Sequence, residues 1–582
     1  MFDSVHSEDV FTPEDMDGEQ KLLSQVTDEF LQGEVEPRIK ELEAGDEGLM
    51  VALFKKSAPL GLQGLDIPEE FGGMELKATS SLIVTEKTAL GGPFGVASLD
   101  HTTFATLPIL YFGTKEQKKK YLKALAEAVK IGAFALTEPN SGSDALNAGT
   151  TATLSEDGDY YLLNGEKQFI SNSAYAGLFI LFAKIDDRDF SAFIVDRDSE
   201  GLSLGEEEDK MGIKGTSTRS VLMQNVRVPC QNLLLGPGKG AQVAFSTLNL
   251  GRYKMAGLCL GNAKLALKDS IGYARNRLQF GRPIADFGLI REKIAEMAVR
   301  IFAAESMLYR TAGLIQEGLE GMDFSLDQPG PDQSARLQKY AMECSINKIY
   351  ASEMLHYVTH EAVQIHGGYG YIKDYPVERY YRDARINLIY GGTNEINRLL
   401  IARLLFKKAL SDGLSLTDDL VQALSEKRGL SAPSGSDGLG LEEMAFRVEK
   451  AKGATLQAVK AVYDAYPEDL EEQQEVGGMI ANILIEIFAM ESSLLRILKI
   501  TEKRKGEGAE IPEAISGVIV SEGLMKVRQY FKSLFSNLFQ GDELKDRLTA
   551  LRILSEPLPA DLIGLRRKIA EAMIKTGRYF IV

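Results

Sequence analysis

Apolar positions along this chain of 582 residues change their spacing twice, and each change marks a boundary. Across 20–134 they recur every three or four residues, as in KEQKKKYLKALAEAV, the period of an amphipathic helix, while GLQGLDIPEEFGG reads as a loop between helices. From about 135 to 245 the pattern becomes short β-branched and aromatic runs, TTATLSEDGDYYLLNGEKQFISN and FILFAKIDDRDFSAFIVD. Asp-Gly, Asn-Gly and Asp-Asp pairs separate these runs as turns, which predicts antiparallel strands. From about 246 to 408 long helical stretches return, LIREKIAEMAVRIFAAESMLYRTAGLI among them, with Gly236-Pro237-Gly238-Lys239-Gly240 as the loop that leads in. Residues 409–440, with SAPSGSDGLG, read as a linker, and 441–582 are helical again. There Val476, Ile480, Ile483, Leu484, Ile487, Met490, Leu494 and Ile497 step by three and four, a wide stripe that must pack on the main body or on a partner subunit. The expected fold class is α+β, mostly α: a helical domain over 1–134, a middle antiparallel β domain over 135–245, a helical bundle over 246–408, the linker, and a further helical domain over 441–582.

Composition narrows partners and compartment rather than fold. Hydrophobic and charged fractions of 44% and 26% suit a soluble globular chain long enough for three or four domains with separate cores. A formal net charge of −17 argues against nucleic acid or an anionic membrane as the main partner, since both reward a clustered basic face. Cys230, Cys259 and Cys344 are odd in number and scattered, which suggests neither a disulfide framework nor a metal cluster and points to a reduced compartment such as a bacterial cytoplasm. The start, MFDSVHSEDVFTPEDMDGEQ, lacks the basic residues and apolar run of a signal peptide, and MIANILIEIFAM at 479–490 is short for a membrane span and contains Glu486.

Residues 361–398, EAVQIHGGYGYIKDYPVERYYRDARINLIYGGTNEINR, closely resemble the flavin-contacting C-terminal signature of the acyl-CoA dehydrogenases. Helix, then strands, then helix is also the order of that family's fold, and the resemblance is dense over about 45–405. Ala135-Leu136-Thr137-Glu138-Pro139-Asn140-Ser141-Gly142-Ser143-Asp144 matches the family's first signature, which implies that Leu136 and Thr137 face the pyrimidine end of FAD and Ser143 a phosphate. Short hydroxyl side chains and free backbone N–H groups suit such a polar edge; alone, the stretch would be a Ser/Gly surface turn. In Gln168-Phe169-Ile170-Ser171-Asn172, on a strand after the Asn164-Gly165 turn, the resemblance gives Phe169 the stacking role and Ser171 the hydroxyl near N5, with Phe standing where many relatives have Trp. Arg277, Gln279 and Phe280 would reach the FAD of a neighbouring subunit, a guanidinium being suited to pyrophosphate. Gln364, Gly367, Gly368, Thr393 and Glu395 complete the cofactor contacts, and Arg252 and Tyr390 face the substrate. His356 and His360 sit four apart beside Glu361, but neither their order nor a third ligand suits a metal, so they read as packed or surface histidines and no metal is expected. Asp383 is expected to pair with a nearby Arg.

The tetrad Tyr390-Gly391-Gly392-Thr393 departs from the family at the residue that matters most. Most members have Glu at its second position, the base that removes the α-proton of the acyl thioester while the flavin accepts the β-hydride; here it is Gly391. The second known home of that Glu, before the Arg in Ser246-Thr247-Leu248-Asn249-Leu250-Gly251-Arg252-Tyr253, is Gly251. A base needs desolvation and reach, and Asp100, in Gly95-Val96-Ala97-Ser98-Leu99-Asp100-His101, falls on a helix that lines the acyl pocket in relatives. A branch acting on cyclic unsaturated acyl-CoAs uses an Asp from this region for a 1,4-elimination. A helix cap or a Lys partner is the structural alternative for Asp100. The resemblance thus implies an FAD-dependent oxidoreductase of fatty acid β-oxidation type that binds an acyl-CoA and passes electrons to an electron-transferring flavoprotein. The very-long-chain branch, whose extra helical domain the C-terminus resembles, is a homodimer, and the same is expected here. The alternatives are a catalytically silent acyl-CoA-binding or assembly protein on this scaffold, and an elimination that needs no base.

Overall fold

The computed structural model describes residues 5–324, 331–411, 440–467, 469–504, 508–550 and 561–581, so that all but the edges of the linker expected over 409–440 lies outside the described residues. The N-terminal helices are α1 (Gly18–Phe30), α2 (Ile39–Glu43), α3 (Glu47–Ser57), α4 (Ala78–Thr88), α5 (Pro93–Leu99), α6 (Thr106–Phe112) and α7 (Lys115–Ala126). Local chemistry sets several of their starts: Asp17 and Thr114 cap α1 and α7 in reciprocal pairs with Gln20 and Gln117, Asp46 caps α3, and Pro93 opens α5, where its missing N–H is harmless. Between α5 and α6 the helix widens into a π-helical segment, Asp100–Ala105.

Eight strands follow: β1 (Ile131–Ala135), β2 (Thr151–Leu154), β3 (Tyr160–Ser171), β4 (Ala176–Ile185), β5 (Asp189–Asp196), β6 (Leu202–Glu207), β7 (Thr218–Pro229) and β8 (Leu233–Leu234). They form one sheet in the order β6-β7-β3-β2-β4-β5-β8, with β1 beside β4. Pairing is antiparallel except that β1 and β2 run parallel to β4. β4 is buried on both faces: Leu178, Ile180 and Phe182 pack with the helices, and Phe179, Leu181 and Ala183 with the sheet's other layer. The Asn164-Gly165 pair is not a turn. It lies inside β3, where the register with β7 slips by one residue. Only Gly165 takes positive φ, at +146°, and a Cβ there would fall 2.6 Å from Thr150 Oγ1. The close approach of a neighbouring strand, rather than chain reversal, explains the glycine.

The bundle comprises α8 (Gly240–Asn276), a small hairpin of β9 (Leu278–Gln279) and β10 (Arg282–Pro283), α9 (Gly288–Leu319), α10 (Pro331–Gln338), α11 (Ala341–His366), α12 (Val377–Ala384) and α13 (Asn394–Ser411). The extension adds α14 (Leu441–Ala465), α15 (Gln474–Lys503), α16 (Glu510–Leu538), α17 (Gly541–Ala550) and α18 (Leu562–Thr576). All eight residues of the stripe on α15 are buried, and that helix packs against α9 and α13 as well as α14 and α16, so the stripe's partner is the main body.

A buried ionic lattice ties these parts together. Arg496 of α15 is fully buried, donating to Glu305 of α9, to Glu14 near the N-terminus (Nη2–Oε1 2.7 Å) and to the Ile581 carbonyl (3.0 Å). Glu305 also accepts from Lys264 of α8 and, at 2.6 Å, from Tyr579, while Lys264 reaches Glu86 of α4 at 2.6 Å. Replacing Arg496 by Met is expected to lower stability by about 3–5 kcal/mol in urea unfolding, because Glu14 would be left without a cation and Glu305 with Lys264 alone. Lys545→Ala, which breaks an exposed pair with Asp542, is expected to leave the midpoint in place.

Candidate active site

The π-helical segment after α5 is fixed from both sides. His101 is fully buried, its Nε2 bonded to the Leu125 carbonyl at 3.1 Å and its Nδ1 accepting the Gly132 N–H at 3.0 Å. Burial pushes its pKa down to about 4, so the ring is a neutral strut between α7 and β1. Asn172, at the end of β3 with φ +62°, donates to the Ala97 carbonyl at 2.9 Å, and Thr216 to that of Pro93 at 3.0 Å, docking α5 on the sheet. These contacts place Asp100 at the first position of a wide turn of the kind that often marks a functional site. Its Oδ2 is buried without a hydrogen-bond partner, so it neither caps a helix nor pairs with a Lys through that oxygen. Burial raises the carboxyl's pKa well above the ordinary range. Asp100 also lies near enough to Tyr175 and Tyr390 to add to the upward shift that burial gives both phenols.

Beside it is a separate apolar cluster: Ala89, Leu99, Met255 and Leu258, with Val96, Phe104 and Tyr390 against them. Gly251 and Gly391, the two positions where the resemblance places a Glu, adjoin this cluster, and at each a Cβ would meet a neighbouring side chain. A Cβ on Gly251 of α8 would lie 2.3 Å from the Phe104 ring; one on Gly391 would lie 2.8 Å from Met255 Sδ, on a backbone with φ +68°. The left-handed conformation favours glycine at 391. A side chain at either position would therefore have to displace Phe104 or Met255.

The tetrad links a short turn at Arg385–Leu388 to α13. Tyr390 donates its hydroxyl to Asn387 Oδ1 at 2.9 Å. Arg252, only 5% exposed, donates Nε–H to the Gly391 carbonyl (2.9 Å) and Nη1–H to Asn249 Oδ1 (2.8 Å); burial lowers its pKa to about 10. Lys348 of α11, which the sequence reading passed over, bonds the next carbonyl, that of Gly392, at 2.8 Å. One turn away on the same helix face stand only small residues, Cys344, Ser345, Ala351 and Ser352, all buried, which was the available signal that this Lys points inward. Thr393 Oγ1 accepts the Ile396 N–H at 3.2 Å, capping α13, and Glu395 is exposed on the first turn.

The remaining expected residues fall into two groups. Leu136 and Thr137 follow β1 and are stapled to β3: Gln168 N–H donates to the Thr137 carbonyl (2.8 Å), and the buried Lys167 bonds the Leu136 carbonyl (3.3 Å) and pairs with Glu138. Burial lowers Lys167 to about 8; burial raises Glu138, but Lys167 more than offsets this and holds it below the usual carboxylate range. Phe169 then emerges at a register slip, 57% exposed with φ +60°, and Ser171 ends the strand half-buried. An exposed aromatic held in strained backbone is a platform for a flat partner. Ser143 is exposed next to Gly142, which faces open space.

In the second group, Arg277, Gln279 and Phe280 occupy the exposed hairpin after α8, with Phe280 93% exposed. Gln364, Gly367 and Gly368 lie at the end of α11, both glycines facing open space. Arg277 reaches Tyr369, 5.7 Å from its ring centre, which joins the hairpin to that helix end. Among the described residues no hydrogen bond or ring contact connects this group to Phe169 and its neighbours. Elsewhere, Asp383 accepts from Ile213 N–H and sits 3.5 Å from Arg379, while His356 and His360 pack near Tyr381. Among the described residues no group of three or more His, Cys, Asp or Glu could hold a metal.

Family models described as the N-terminal, middle and C-terminal domains of acyl-CoA dehydrogenase match residues 17–128, 133–226 and 238–406, and a further C-terminal domain model matches 450–553. A probable acyl-CoA dehydrogenase of Bacillus subtilis is 41% identical over 100% of this chain and 98% of its own length. The crystal structure of an acyl-CoA dehydrogenase complexed with FAD from Bacillus anthracis is also 41% identical, with a TM-score of 0.95 over 100% of this chain and 98% of that one. The caffeyl-CoA reductase-Etf complex subunit CarC of Acetobacterium woodii is 39% identical over 67% of this chain and 98% of its own. The chain belongs to the acyl-CoA dehydrogenase family.

Proposed function

We propose that this protein is an FAD-dependent oxidoreductase of acyl-CoA thioesters in which Asp100 is the base. The observation that carries the proposal is a buried, unpartnered carboxyl oxygen near Tyr390, beside an apolar cluster adjoined by both usual base positions, which are glycine. Leu136, Thr137, Ser143, Phe169 and Ser171 would hold the isoalloxazine and phosphate of one FAD, with Thr393 and Glu395 at its edge. Arg277, Gln279, Phe280, Gln364, Gly367 and Gly368 would complete the site of the neighbouring copy in a homodimer. Bound FAD supplies the acceptor for the substrate's hydride. Asp100, ionised against the preference of its surroundings, would take the proton, and desolvation strengthens it as a base. Arg252 would position the tetrad, and Tyr390 would wall the acyl group. A carboxylate in this pocket disfavours a long saturated chain and suits a cyclic or unsaturated acyl group. The relative that forms a complex with Etf supports an electron-transferring flavoprotein as acceptor. A reduced compartment such as the cytoplasm, and a place in fatty acid β-oxidation, follow from the same reading.

Asp100→Asn is expected to abolish anaerobic bleaching of the flavin by a productive acyl-CoA, tested with cyclic, unsaturated and linear thioesters, while FAD content is kept. Undiminished bleaching would reject Asp100, and an absence of bleaching by every thioester in the wild type would favour a silent binding protein. The same variant has a stability signature. Because the folded-state pKa is raised, protonated Asp100 contributes fully at or below about pH 4, and that contribution is lost as pH rises towards the raised value. Asp100→Asn should therefore be more stable than the wild type at pH 8, with the gap closing towards pH 4.

Gly391→Glu tests the pocket. The left-handed backbone makes any side chain there cost about 1–2 kcal/mol, and Met255 stands in the way. The single variant is expected to gain no straight-chain dehydrogenase activity, whereas Gly391→Glu with Met255→Ala gains some; activity in the single variant would show that the pocket was never reshaped.

A further inference from the structure

Lys348 is 1% exposed in the middle of α11 and takes no part in the chemistry described so far. Its ammonium donates to the Gly392 carbonyl at 2.8 Å and to Asn394 Oδ1 at 2.7 Å, and Asn397 supports the same carbonyl at 2.7 Å. Arg252 holds the carbonyl one residue earlier. Two buried cations thus grip two successive carbonyls of the tetrad from the bundle side. Among the described residues neither forms an ion pair with a carboxylate; the titratable and charged groups around Lys348 are Cys259 and Arg252 on α8, Glu353 on its own helix and Glu395 on α13. Buried charges are ordinarily paired, so a pair of cations with only neutral acceptors suggests a purpose beyond stability.

The peptide bonds are trans, and in a trans peptide the carbonyl and the following N–H point in opposite directions. With the Gly391 and Gly392 carbonyls turned into the bundle, the N–H groups of Gly392 and Thr393 are turned out of it. We infer that Lys348 is a positioning residue for the reaction: with Arg252 it fixes the tetrad so that its electron-poor peptide edge meets the thioester oxygen, where negative charge gathers when the carbon acid loses its proton. In relatives with Glu at the tetrad's second position, that carboxylate's charge opposes the cations. Here, among the described residues, no carboxylate pairs with either cation, which makes the bound thioester more acidic and lessens the demand on Asp100. The inference rests on an acyl thioester occupying this pocket.

The test uses the FAD-loaded protein and acetoacetyl-CoA, a thioester acidic enough for its bound enolate to be followed by absorbance without turnover. Lys348→Met and Lys348→Gln are expected to bind it but to need a proton concentration about tenfold lower or more to ionise it, a shift of about one pH unit. Lys348→Arg is expected to restore ionisation, and the Met variant should lose more in kcat than it gains in KM. The Gln variant keeps a neutral donor of similar reach and serves if the Met variant fails to fold. The same shift is expected in an Asp100→Asn background, since Lys348 acts independently of the base. Equal ionisation in wild type and the Gln variant, with binding intact, would overturn the role of Lys348 alone. Failure of the wild type to bind any acyl thioester would overturn the acyl-CoA reading and this inference with it.

Discussion

Taking an ion out of water costs several kcal/mol unless an opposite charge or several hydrogen bonds replace the solvent, and most of this protein's interior meets that demand with opposite charges. Arg496 stands between Glu14 and Glu305, Lys167 against Glu138, Lys254 against Asp66, and Glu491 between Arg310 and Lys452. The partners come from different segments: the Arg496 lattice draws on the N-terminal segment, α4, α8, α9, α15 and the C-terminal tail. Loss of α15 would leave Glu14 without its cation, so the lattice couples the N-terminal segment to the extension. This holds the extension to the dehydrogenase body independently of the apolar stripe on α15.

Three exceptions lie around the tetrad. Asp100 keeps an unpartnered oxygen, and Arg252 and Lys348 have only neutral acceptors. Departures from the pairing rule are where function is to be sought. An unpaired carboxylate is a stronger base, and unpaired cations are a stronger sink for a developing anion, so the same energetic defect serves both sides of a proton transfer. On the proposed reading, glycine at 391 belongs to the same arrangement, since Glu there would oppose both cations.

Helix–strand–helix order and the stripe on α15 were legible in the sequence because period alone reports which face is buried. The signature residues were legible as a resemblance, and the structure adds what makes them usable: Phe169 exposed at a register slip, and Leu136 and Thr137 tied to β3 through Lys167. Other features were hidden for identifiable reasons. Asn164-Gly165 carries turn chemistry, but pairing with neighbouring strands overrides it. The widening of the helix at Asp100 changes backbone hydrogen bonding without disturbing the apolar pattern. The partner of Lys348 was hidden because Gly392, whose carbonyl accepts its hydrogen bond, lies 44 residues on. Glu14 and Arg496, 482 residues apart, meet only in the folded chain.

The claim that Asp100 is the base is tested most directly by following deuterium from D2O into an acyl thioester bound to the anaerobic, oxidised enzyme, read by mass spectrometry of the recovered ester. The account predicts that deuterium enters at the carbon whose proton the base removes in the wild type and in a control such as Asp542→Asn, and does not enter in Asp100→Asn. Deuterium entering at the wild-type rate in Asp100→Asn would contradict it, and would mean that another group removes the proton.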